Sequence, residues 1–195
     1  MSTESNSNKV ILPGGAVRGS RTHLLAKMGI MLAIAVVFSF IPSFPMLPGV
    51  DFIRYEFSDI PLLISGFAFG APAGIVLVVL ADVLNFFLGG AESGPYGMIM
   101  HVLAIGSFVL VSSLIYRRHK DRKHAIIGLV AGILAMTVIM VPANLIITPL
   151  FMGVPVEFVK PLIPTAIIPV NLMKATLSAA LTFILYKRVS PFLHK

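Results

Sequence analysis

Between Pro61 and Leu88 the chain is nearly all apolar, and the run is broken by Gly70-Ala71-Pro72-Ala73-Gly74. As one helix it would extend about 42 Å at about 1.5 Å per residue, well beyond a hydrocarbon core about 30 Å thick. Two short spans separated at the Gly/Pro break are therefore predicted. Further apolar runs, Leu24 to Ile41, Tyr96 to Tyr116, His124 to about Leu150 and Pro164 to Tyr186, bring the predicted spans to six. With 57% hydrophobic and 12% charged residues and a mean hydropathy of +0.95, the chain is far from the roughly one-quarter charged content of soluble proteins. An all-α integral membrane protein is expected: a polar, disordered tail over 1–22, then one six-helix domain over 23–195, with no room for a soluble catalytic domain. The tail also lacks the apolar core of a cleavable signal.

Charge fixes the expected orientation. Basic residues gather in the tail (Lys9, Arg18, Arg21, Lys27), after the fourth span (Arg117, Arg118, Lys120, Arg122, Lys123) and at the end (Lys187, Arg188, Lys195). The positive-inside rule puts all three clusters in the cytoplasm, which needs an even number of crossings between them. Four and two satisfy it, so six spans with both termini inside is the consistent count. Loops holding Asp51, Arg54, Glu56, Glu92, Glu157 and Lys160 then fall outside. The net charge of +7 is accounted for by topology, not by nucleic acid.

Polar residues inside apolar runs are the functional candidates. Asn171 and Lys174 share a helix face at i and i+3. A lysine deep in a span costs roughly 2.5–3.5 kcal/mol to insert and normally faces a cavity or a partner. Asn144 follows Pro142 by two residues and either meets a ligand or heals the proline kink. Asp82 and Asn85 share a face of the third span; Asp82, the one acid read as well inside a span, is the expected ion-pair partner of Lys174. His101 is expected to be a packed, hydrogen-bonded residue, and Tyr96 a lid or an interface anchor. Pro42 to Phe57 is too proline-rich for a helix yet carries Phe44, Met46, Leu47, Phe52 and Tyr55, so it should pack onto something. Ser58 or Asp59 is the expected N-cap of the second span, with Pro61 in its first turn. Gly29 and Ala33, with Ala26 and Ala35 nearby, form a small-residue stripe suited to close helix approach.

There is no P-loop, HExxH motif, paired catalytic carboxylates or Ser/His/Asp set, and no cysteine for thiol or metal chemistry. No enzyme activity, cofactor or metal is expected. A chain of intramembrane acids, as a proton-driven carrier would need, is also lacking.

Taken together, Phe57-Ser58-Asp59-Ile60-Pro61, Phe69 to Gly74, Ser93-Gly94-Pro95-Tyr96-Gly97 and Ile168-Pro169-Val170-Asn171-Leu172-Met173-Lys174 resemble the substrate-binding S component of energy-coupling factor (ECF) vitamin transporters, most closely the riboflavin-specific branch. The resemblance runs from about Leu24 to Leu193, departing from the usual pattern at Ala71 and Val170. It implies a six-helix fold that captures a vitamin at the outer face of the cell membrane. It also implies a separate transmembrane coupling subunit of the EcfT type, docked on the Gly29/Ala33 stripe, and two ATP-binding subunits. Asn144, Asn171 and Lys174 would hold riboflavin by polar contacts, with Phe44, Met46, Leu47 and Tyr96 as walls, Asn85 a further candidate, and the loop from Phe44 to Tyr55 as cover. Pantothenate or another vitamin fits the same architecture, with Lys174 as counter-ion to a carboxylate. Two other classes stay open: a self-sufficient ion-coupled carrier using Asp82 and Lys174, and a structural membrane protein in which that pair only stabilises the fold.

Overall fold

The computed structural model describes residues 18–48, 53–89 and 94–193, with side chains from residue 22 to 186 within those ranges. Of the tail expected to be disordered over 1–22, residues 18–22 are instead helical and open α1; the rest of the tail, and the expectations for Asp51, Phe52, Glu92 and Ser93, lie outside the described residues. The elements are α1 (Arg18–Ser39), β1 (Phe44–Pro45), β2 (Arg54–Tyr55), α2 (Asp59–Phe69), α3 (Ala71–Phe87), α4 (Gly94–Arg118), α5 (Arg122–Met152), α6 (Val156–Val159), a π-helical turn (Ile163–Ile167) and α7 (Ile168–Leu193). Among the described residues, four helical stretches, Thr22–Ser39, Gly94–Arg118, Arg122–Met152 and Ile163–Tyr186, are long and apolar enough to cross a membrane; α2 and α3 are shorter apolar helices.

The break between α2 and α3 is a single residue. Gly70 sits at φ 88°, a conformation other residues rarely adopt, and its N–H still reaches Gly66 O at 2.9 Å, while Pro72 opens the next helix where no donor is needed. The chain therefore turns sharply and α3 packs back on α2. That packing is close: a Cβ on Gly74 would stand 2.8 Å from Gly66 Cα and 2.7 Å from Val109 Cγ1. The α4–α5 pair packs the same way, with Gly128 against the Ser112 carbonyl and Gly132 against the Phe108 ring. Small residues let these backbones approach where lipid supplies no hydrophobic drive between helices. Leu62, Leu63, Val78, Ile105, Phe108 and Met136 fill the core between them.

Helix α5 begins at Asp121, whose carboxylate accepts the His124 N–H at 2.7 Å, and ends at Gly153 in the left-handed region. It continues through Pro142 and Pro149. Helix α1 is peripheral: Met31 and Ala35 are buried, whereas Gly29 and Ala33 lie on the exposed side with Leu25, Ile30 and Val37. The described residues of 42–57, namely 42–48 and 53–57, are non-helical, in keeping with their prolines, but they also form a two-stranded antiparallel ribbon that the sequence pattern did not announce. Phe44 pairs with Tyr55 and Pro45 with Arg54.

Candidate functional site

A cavity of about 310 Å³ lies at one end of the bundle, at the lower edge of the range for small-molecule sites. Its walls come from several elements: the end of α1 and the following loop (Ser39 to Ser43), Ile53, Arg54 and Glu56 around β2, Asp82 and Asn85 on α3, the first turns of α4, the second half of α5, and Asn171 and Lys174 on α7. Of the residues singled out from sequence, Asn85, Tyr96, Asn144, Asn171 and Lys174 line it; Phe44, Met46 and Leu47 do not. Strand geometry gives the reason for Phe44. Its ring packs on Tyr55 and Phe57, at centroid distances of 5.4 and 6.1 Å, so the ribbon's aromatics stack on one another and leave the cavity wall to the residues around them.

The alternation of β2 decides which residues face inward. Arg54 and Glu56 line the cavity, and Tyr55 between them turns into the core, fully buried. Burial raises the Tyr55 hydroxyl above its ordinary pKa, opposed by a hydrogen bond with Ser178 and reinforced by the Asp59 charge. The phenol therefore stays neutral. On the other side of the ribbon, the Arg54 guanidinium donates from Nε to Ser43 Oγ at 2.8 Å and also to the Ser43 carbonyl.

Behind the cavity wall is a buried charged network. Asp59 is completely buried; its carboxylate accepts from Ser178 Oγ at 3.1 Å, lies 2.9 Å from His101 Nε2 and 3.7 Å from Lys174 Nζ. His101 bridges on to Asp82, whose Oδ1 is 2.7 Å from Nδ1, and to Glu56 at 3.5 Å from Nε2. The expected Lys174–Asp82 pair is thus replaced by two others, Lys174 with Asp59 and His101 with Asp82. Of the two expected caps, Ser58 takes the N-cap position but makes no side-chain capping bond, and Asp59 is the first helical residue. A carboxylate at a helix start can cap its own N–H groups or reach a buried cation; here a lysine and a histidine from α7 and α4 supply the stronger, charge-assisted partners. His101, expected to be packed and hydrogen-bonded, is both.

Asn144 and Asn171 are built alike. Each donates its amide to the carbonyl four residues earlier, Met140 O at 2.7 Å and Ile167 O at 2.8 Å, and Asn144 also accepts from Thr148 Oγ1 at 2.9 Å. The bond to Ile167 reaches the end of the π-helical turn, where it joins α7. Both amides are thereby fixed in orientation, with Met136, Met140 and Ile147 forming the apolar wall beside them. Met140, Asn144 and Thr148 recur at i, i+4 and i+8, a spacing that could have added Met140 and Thr148 to the sequence candidates. Arg54, Glu56 and Ser39 carried no such signal.

A helical membrane bundle that encloses one mixed apolar and polar cavity, reached from its loops and backed by paired buried charges, has the form of a solute-binding membrane subunit. Comparison with known proteins is specific on this point: residues 23–189 match the family model for the ECF transporter, substrate-specific component. The chain belongs to that family. It is 30% identical over 178 residues to the riboflavin transporter RibU of Staphylococcus aureus (strain TCH60), covering 88% of this chain and 92% of that one. It is 26% identical over 160 residues to the riboflavin transporter FmnP of Bacillus subtilis (strain 168), covering 78% and 83%. A solved structure of the S component of a bacterial ECF transporter superposes with a TM-score of 0.78 at 29% identity, covering 90% of this chain and 99% of that one. The protein is accordingly a multi-pass membrane protein, the substrate-binding subunit of a transporter and not an enzyme.

Proposed function

We propose that this subunit binds riboflavin at the outer face of the membrane and delivers it to an ATP-driven ECF complex. The observation that carries this reading is the cavity's division of labour. A flat, largely apolar ring needs aliphatic and aromatic walls, here Met136, Met140, Ile147 and Phe151, and its polar edge needs oriented amides, here Asn144 and Asn171. The relatives' names point the same way. The state of Lys174 favours a neutral ligand over the carboxylate of pantothenate: its ammonium already faces Asp59, with Glu56 and Asp82 close behind. An incoming anion would meet three acids and a lysine that is already paired.

Orientation follows from charge. His101 lines the cavity, and Arg118 lies about 25 Å further along α4 at about 1.5 Å per residue. The basic connector between α4 and α5 is therefore at the far end from the cavity, and the positive-inside rule places the cavity outside, with six crossings and both termini in the cytoplasm. Because the chain has no cysteine, Lys120→Cys and Tyr96→Cys can be labelled one at a time in intact cells. Tyr96→Cys should react with an impermeant maleimide and Lys120→Cys only after permeabilisation; the opposite pattern rejects this orientation. The exposed side of α1 around Gly29 and Ala33 suits docking on an EcfT-type coupling subunit that works with two ATP-binding subunits. Gly29→Trp or Ala33→Trp should then abolish uptake while sparing solute binding.

The direct test of the ligand is the visible spectrum of the protein purified in detergent from cells grown in rich medium. A flavin spectrum near one per chain is expected. A colourless protein that also fails to quench added riboflavin fluorescence would reject riboflavin and retain the fold.

A further inference from the structure

The end of the bundle remote from the cavity carries an open groove of its own. It measures about 400 Å³ and is lined by Leu114, Ile115 and Arg118 on α4, His119 in the connector and His124 on α5. Its two parts differ in chemistry. Leu114 is an exposed large apolar side chain, and so is Leu110 one turn before it. Arg118 follows Leu114 at the same interval, so the three lie on one face of α4, about 12 Å from first to last at about 1.5 Å per residue. Because α4 is a membrane-crossing helix, that face runs from hydrocarbon depth at Leu110 to the headgroup layer at Arg118. Around it Arg117, Lys120, Arg122 and Lys123 are exposed. The nearby acid, Asp121, is taken up by the start of α5: its Oδ1 accepts the His124 N–H and lies 2.7 Å from the His124 ring Nδ1. Among the described residues no carboxylate pairs with Arg118.

We infer that this groove holds an anionic phospholipid, its phosphate on Arg118 and an acyl chain along Leu114 and Leu110. A guanidinium presents a planar fork of donors that matches phosphate oxygens, and a juxtamembrane basic cluster attracts anionic headgroups. Topology by itself asks only for basic residues somewhere in the connector, not for a groove. A soluble anion would engage Arg118 without using the apolar floor of Leu114 and Ile115. A zwitterionic lipid would cover that floor but bring no net charge to the cluster. The inference does not depend on which solute the cavity takes.

The chain has no tryptophan, so Leu110→Trp supplies a single reporter beside the groove. The full-length variant would be reconstituted in vesicles of phosphatidylglycerol and phosphatidylcholine with matched acyl chains, one lipid or the other carrying bromine to quench the tryptophan. Phosphatidylglycerol should be favoured at the reporter about fivefold or more over its share of the bilayer. On that background Arg118→Gln should abolish the preference. Lys123→Gln removes the same charge from outside the groove and should change it by less than about twofold. All three positions are exposed, so these substitutions leave the fold in place. No preference in Leu110→Trp itself, or equal losses in the two charge variants, would overturn the site; the second result would leave only a diffuse basic surface. Replacing chloride by inorganic phosphate at equal ionic strength should leave the preference intact. Its collapse there would overturn the lipid as occupant in favour of a soluble anion.

Discussion

The two ends of the bundle use the same residue types for opposite purposes. At the cavity end Asp59, Asp82, His101 and Lys174 are buried and hold one another across α2, α3, α4 and α7. At the far end Arg117, Arg118, Lys120, Arg122 and Lys123 stand exposed around the α4–α5 connector, where the one acid, Asp121, caps its own helix. Charges in water cost little and mark topology; charges taken out of water demand partners, and those partners tie distant elements together. Between the ends lies a layer with neither role, where glycines set the distance between backbones. A charged residue's function in such a protein is therefore read from what surrounds it in space, not from its type.

The most damaging change should be one that strands a charge at the cavity end. Lys174→Met removes the ammonium facing Asp59 and leaves a fully buried carboxylate with one cation fewer. A loss of about 3–5 kcal/mol is expected. Adding Asp59→Asn removes the stranded charge, so the double variant should recover part of that loss. Thermal denaturation in detergent, followed by size-exclusion recovery, measures both. A double variant no more stable than Lys174→Met would mean the pair is not the source of the loss.

That pair also marks the limit of what the sequence discloses. The break at Gly70 and the shared face of Asn171 and Lys174 were legible because each depends on local chemistry: a residue that tolerates positive φ, and helical periodicity. The partner of Lys174 was not legible. Asp59 follows a proline-rich loop at a helix start, the position of an ordinary cap, and only the packing of α7 against α2 brings the lysine to it. The cavity wall around Arg54 and Glu56 was hidden for a related reason: a two-residue strand is too short to show alternation, and its register comes from pairing with Phe44 and Pro45. The stripe at Gly29 and Ala33 was visible, and its exposure required knowing that Met31 and Ala35 take the buried side.

In the layer between the ends, Gly74→Ala should cost about 1–3 kcal/mol, because the new methyl meets the Gly66 backbone as well as the Val109 side chain. Gly29→Ala on α1 meets nothing within 4 Å and should leave stability unchanged or slightly raised. Melting temperatures of the two variants side by side give the comparison. Equal shifts would show that α2 and α3 separate without penalty and that their close approach does not hold the fold.

The smallest effect should come from the connector. The Asp121 carboxylate is held below its ordinary pKa, chiefly by the His124 backbone N–H and further by the His124 ring. A group with a depressed folded-state pKa contributes stability above its unfolded value and loses it as pH falls through the folded one. Asp121→Ala should therefore lower the melting temperature slightly at neutral pH, and the gap from wild type should close as the buffer is taken below the ordinary aspartate range. Riboflavin affinity should not change, since the residue lies at the end remote from the cavity. A variant that loses affinity along with its cap would mean that the α4–α5 connector communicates with the site, and the two ends could no longer be treated as separate devices.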